Sequence, residues 1–165
     1  MQALVRMVTA FLALCLAGHS FAQTDRQPKP GEAIPGFETM LLTGKTLSAA
    51  DLRGKPVLVM FWATWCPLCR KEMPGIQALH ERYRERGLQV LAISIDAERI
   101  EVDEFWKDHR YSFPVAMRTP RHSEVFGITR YPPRFFLIDR QGVLRYQKTG
   151  AVVMEQLADE IDALL

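Results

Sequence analysis

The run Phe61-Trp62-Ala63-Thr64-Trp65-Cys66-Pro67-Leu68-Cys69-Arg70 constrains the chain more than any other stretch. Pro56-Val57-Leu58-Val59-Met60 leads into it without a charge and with strand character. After the second cysteine, Met73, Ile76, Leu79 and Tyr83 recur at three- and four-residue steps, the spacing of one helix face. A buried strand therefore delivers two cysteines onto the first turn of a helix. A disulfide across so short a loop removes little unfolded-state entropy and adds little stability. Its use lies in opening and closing.

The first N–H groups of a helix have no partner within it, so they can solvate a thiolate at Cys66. The helix dipole contributes about 0.3–1 kcal/mol, less than one pKa unit at about 1.36 kcal/mol per unit. A cysteine that ordinarily titrates near ~8.5 needs more, and direct N–H bonds to sulfur with Arg70 and Lys71 nearby are the available sources. Cys69, one turn on, faces inward and suits the resolving role, attacking a mixed disulfide held by Cys66. Pro67 fixes one dihedral and removes one donor between them. Trp65 directly precedes the nucleophile and is expected to be exposed to substrate, with Phe61 and Trp62 in the core.

The chain has 165 residues, enough for one domain with a real core. Residues 1–22 have the features of a secretory signal: Arg6 at the start, an apolar stretch from Met7 to Gly18, then Ser20-Phe21-Ala22 as a cleavage site. An uncleaved anchor and, less well matched, lipid attachment at Cys15 stay open. Cleavage after Ala22 leaves a mature chain whose cysteines are those of the motif alone, as expected of an exported redox catalyst. With 21 basic and 19 acidic residues there is no polyelectrolyte character and nucleic acid is not implied. Arg118, Arg121, Arg130 and Arg134 gather locally and read as a solvated loop.

Residues 23–35, rich in proline and glycine, read as a linker ahead of a domain spanning 36–165. A short hairpin is expected at 37–42 and 45–48, and a strand covered on both faces at 88–95. Next come a helix over 98–109, a short strand at 113–116, a helical turn at 123–127, a hairpin of 134–139 with 143–148, and a closing helix striped by Met154, Leu157, Ile161 and Leu164. Pro74 predicts a kink in the helix after the cysteines. The order predicts an α/β fold, a mixed sheet with helices on both faces.

The words Val59 to Pro74, Phe136-Leu137-Ile138-Asp139 after a proline pair, and Gly150-Ala151 before a last helix resemble the thioredoxin superfamily, and more closely its TlpA/ResA/DsbE-like branch. The resemblance implies a thioredoxin-like fold with an N-terminal hairpin and a central insert. It implies that Glu72 tunes Cys69 or carries its proton, the more so because Met60 stands where cytosolic thioredoxins have a buried aspartate. It implies a cis-proline at Pro133 facing the disulfide. The residue before that proline offers its backbone to an extended substrate, but Pro132 has no N–H to offer. Arg134, where relatives carry a small or polar residue, is expected to add charge beside the site and favour acidic clients; Gly150 completes the expected substrate-binding set.

The function expected is an extracytoplasmic, periplasmic thiol:disulfide oxidoreductase, a reductase of protein disulfides by resemblance, serving cytochrome c maturation or related clients and recharged by a membrane thiol donor. No cofactor beyond the Cys66–Cys69 pair is called for, and the chain is expected to act as a monomer. A peroxiredoxin-like peroxidase is one rival, though Ala63 stands where it would want threonine. A copper or zinc metallochaperone is the other, with His80, His109 and His122 lacking any short ligand spacing.

Overall fold

The computed structural model describes residues 26–127 and 129–165. The expected signal or anchor over 1–22, and Cys15 with it, lies outside them.

A two-stranded hairpin, β1 (Thr39–Met40) and β2 (Thr46–Leu47), precedes a short helix α1 (Ala49–Leu52). The central elements follow: β3 (Val57–Trp62), α2 (Pro67–Tyr83), β4 (Gln89–Ser94), α3 (Arg99–His109), β5 (Val115–Met117), α4 (Pro120–Phe126), β6 (Arg134–Ile138), β7 (Leu144–Thr149) and α5 (Met154–Asp162). The five-stranded sheet runs β5-β4-β3-β6-β7. Its β3–β4 and β4–β5 pairs are parallel, and β3–β6 and β6–β7 antiparallel. This is the thioredoxin-like mixed sheet the sequence predicts. The turn expected at 123–127 is a longer helix, because Thr119 caps it and Pro120 fits its first position. Helix α2 is continuous through Pro74.

Strand β3 is buried along its whole length because both faces are covered. Leu58, Met60 and Trp62 face a core shared with Met73, Ile76 and Tyr83 of α2 and Leu157 and Ile161 of α5; both cysteines belong to it. Val57, Val59 and Phe61 face a second core with Phe37, Phe126 and Phe136. The sheet thus ends, beyond Trp62, at the N-terminus of α2.

The segment read as linker is part of the fold. Gly31 N–H donates to Leu144 O and Ile34 N–H to Gly142 O, both at 2.8 Å, so these residues pair with the start of β7. At the opposite edge Leu41 bridges Ala116, and Leu42 N–H donates to Val115 O at 2.9 Å. Both edges of the sheet are partly covered by the same stretch of chain, which limits unwanted strand pairing. The domain therefore begins ahead of residue 36, since backbone groups at 31–34 find their partners in the sheet.

Candidate active site

Cys66 is the N-cap of α2, in extended conformation, with Pro67 in the first turn. Its N–H donates to Ala63 O at 3.2 Å, closing the turn out of β3. Cys66 and Cys69 form a disulfide. Cys69 N–H donates to Cys66 Sγ at 3.1 Å, the direct bond to sulfur that the helix start makes available. Cys69 is fully buried and Cys66 is 4% exposed, so of the two only Cys66 keeps any contact with solvent.

The Pro132–Pro133 peptide is cis. Pro132 O lies 3.6 Å from Cys66 Sγ, within reach of a thiol proton when the disulfide is reduced. Gly150, at φ +84°, donates its N–H to Pro133 O at 2.9 Å and fastens this loop to the end of β7. Trp65 is 60% and Tyr131 78% exposed, so the residues preceding Cys66 and Pro132 both present aromatic surface to solvent.

Glu72 is buried in α2, one turn past Cys69. Burial raises its carboxyl above the usual range, opposed by the Lys71 ammonium and the Val152 backbone amide. Met60 is fully buried. A groove of about 450 Å³ opens beside Trp65, with Phe105 in its wall and Glu101, Glu104 and Asp108 around it. A smaller cavity of about 250 Å³, between Phe37, Leu52 and the 139–142 turn, lies at the other end of the sheet and contains no thiol.

Arg134 is not beside the disulfide, and the acidic-client expectation built on it is corrected. In a strand, neighbouring side chains point to opposite faces. Phe135 faces the cysteines' core, so Arg134 shares the other face with Phe136, its guanidinium 5.1 Å from that ring. It is 5% exposed and donates to Gln27 Oε1 at 2.7 Å. Nor do Arg118 and Arg121 form a free basic loop with it: Arg118 donates to Thr129 O at 3.5 Å and Arg121 pairs with Glu124 at 3.1 Å.

Sequence reasoning missed Asp96, Ser94 and Thr64. The Asp96 carboxylate receives the Thr64 N–H at 3.1–3.2 Å and the Thr64 hydroxyl at 2.7 Å. The signal was present in Ser94-Ile95-Asp96, polar residues ending an otherwise apolar strand next to the cysteine loop. Among the described residues no group of three or more His, Cys, Asp or Glu is placed to hold a metal ion.

The model of the Redoxin family matches residues 29–165. The chain belongs to that family. The thiol-disulfide oxidoreductase ResA of a Bacillus cereus strain is 36% identical over 129 residues, 77% of this chain and 73% of the relative. A Chlorobium tepidum structure assigned as thiol:disulfide interchange protein DsbE superposes with a TM-score of 0.73 at 31% identity, covering 83% of this chain and 98% of that one. A thiol:disulfide interchange protein of the thioredoxin family from Chlorobium tepidum TLS gives 0.75 at 28% identity, covering 84% and 99%. This Redoxin-family chain is thus a thiol:disulfide oxidoreductase of the TlpA/ResA/DsbE-like branch of the thioredoxin superfamily, with Cys66–Cys69 as its CxxC pair.

Proposed function

We propose that the protein is an extracytoplasmic reductase of protein disulfides. The observation that carries the reading is the asymmetry of the pair: Cys66 Sγ receives an amide proton at 3.1 Å while Cys69 is sealed beneath it. In the dithiol form the Cys66 thiolate attacks one client sulfur, and the other client sulfur leaves as a thiolate and takes up a proton. Cys69 gives its proton to Glu72 and attacks Cys66 Sγ, which releases the second client sulfur. Two electrons pass to the client and the enzyme is left as the Cys66–Cys69 disulfide. Trp65, Pro132, Pro133 and Gly150 form the client-docking surface, with Pro132 offering its carbonyl alone.

A membrane thiol donor restores the dithiol, and cytochrome c maturation is the process we assign to its clients, on the likeness to the ResA and DsbE relatives. The N-terminal stretch of residues 1–22 supports export. Among the described residues no helix is long and apolar enough to cross a membrane. The deciding experiment is the midpoint potential of Cys66–Cys69 in glutathione buffers. A value well below the glutathione poise is expected; one near that of strong periplasmic oxidants would reverse the direction, about 30 mV corresponding to about 1.4 kcal/mol.

A further inference from the structure

The loop that carries the cysteines is held by a buried carboxylate. Asp96 follows β4 and is 7% exposed. Its oxygens receive the Thr64 N–H at 3.2 and 3.1 Å, the Thr64 hydroxyl at 2.7 Å and the Ser94 hydroxyl at 2.6 Å. Ser94 Oγ in turn accepts the Asp96 N–H at 2.9 Å, which fixes the carboxylate on its own strand end. Asp96 forms no ion pair among the described residues. A carboxylate is costly to bury without a cation unless donors surround it. Here two of its three donor groups belong to Thr64, so its effect is directed at the 63–65 loop.

That loop does two things. Ala63 O accepts the Cys66 N–H at 3.2 Å, and Trp65 stands 60% exposed next to the nucleophile. We propose that Asp96 is a positioning residue for thiol exchange: acting through Thr64, it holds the loop so that the Trp65 indole is presented to a polypeptide client at Cys66. The inference rests on the reading of Trp65 as a client contact. Docking of a polypeptide depends on that presentation, whereas a small disulfide needs little beyond the sulfur itself.

The test is the ratio of two single-turnover rates of the full-length reduced protein. One substrate is a synthetic peptide with one intramolecular disulfide, the other hydroxyethyl disulfide, and each variant is assayed well below its own melting temperature. Trp65→Ala is expected to lower the peptide-to-small-disulfide ratio. Asp96→Ala and Thr64→Val are expected to lower it about fivefold or more. Asp96→Asn should restore it to within about twofold of the parent, because its amide oxygen, placed as Asp96 Oδ1, still accepts both the Thr64 N–H and the Thr64 hydroxyl that Thr64→Val removes. A lowered ratio for Trp65→Ala with an unchanged ratio for Asp96→Ala and Thr64→Val would overturn the Asp96 proposal alone, as would Asn performing no better than Ala. An unchanged ratio for Trp65→Ala would remove the platform and the proposal with it. Should Asp96→Ala fail to fold, Thr64→Val and Asp96→Asn decide the matter.

Discussion

The main-chain N–H of Cys69 donates to Cys66 Sγ across 3.1 Å. In the proposed mechanism that bond favours the thiolate at Cys66, and Cys69 is the sulfur that resolves. Cys69→Ser should therefore accumulate mixed disulfides with clients, visible on non-reducing gels, while Cys66→Ser should accumulate few. Equal trapping by the two variants would overturn the order of attack.

Glu72 predicts a pH effect with a definite sign. A neighbouring carboxylate opposes thiolate formation at Cys69, so Glu72→Gln should move the alkaline thiol titration of the reduced protein to lower pH. Stability is linked to the same burial. The folded carboxyl titrates above its unfolded value of 4.5, so the native state holds the proton longer, and stability falls as pH rises through the folded pKa. Glu72→Gln should thus melt higher than the parent at pH ~7 and alike below pH ~4. Superimposable titrations and melting curves would leave Glu72 without either role.

His122 predicts the opposite slope. It is fully buried against Phe37, with Nδ1 accepting the Thr119 N–H at 3.0 Å. Burial lowers its pKa from 6.5 to about 4. The unfolded chain takes up the proton first on acidification, so stability is full above pH 6.5 and is lost as pH falls towards about 4. The loss is on the order of 3 kcal/mol, and His122→Gln should flatten that part of the melting profile. A parent profile already flat between those values would show that His122 is protonated in the native fold.

Client charge preference should run opposite to the one expected from Arg134. The exposed charges lining the groove beside Trp65 are Glu101, Glu104 and Asp108 against the one cation Arg70, so the balance is acidic, and none of the three carboxylates forms an ion pair among the described residues. A disulfide peptide with lysine beside its cysteine should react several-fold faster at low salt than its glutamate counterpart, with the difference shrinking at high salt. Arg134→Thr should leave that difference intact and lower the melting temperature, since its guanidinium contacts Gln27 and Phe136. Equal rates for the two peptides at low salt would refute the charge argument.

The strand–CxxC–helix unit was legible because local signals agree there: an uninterrupted apolar run, a cap position and a helical stripe. The Cys66–Cys69 pair forms at that helix start, and the roles proposed for the two sulfurs rest on the same geometry. Arg134 was misplaced because its face depends on strand register, which puts Phe135 rather than Arg134 towards the cysteines. Ser94-Ile95-Asp96 marked a polar strand end, but not what Asp96 holds, because its partner Thr64 lies 32 residues earlier and meets it only when β3 and β4 pair. Residues 31–34 looked like linker because proline and glycine mark irregular chain, and composition does not reveal pairing with a distant strand.

The contact between Gln27 and Arg134 also sets a direction of travel. Arg134 opens β6 opposite Phe61, near the end of β3 that delivers the cysteines. A tether fixed ahead of residue 26 would thus start from the reactive end of the sheet. With the membrane thiol donor proposed above, a chain leaving from that end would keep Cys66 on the side of its attachment, and large clients would have to approach from the flank.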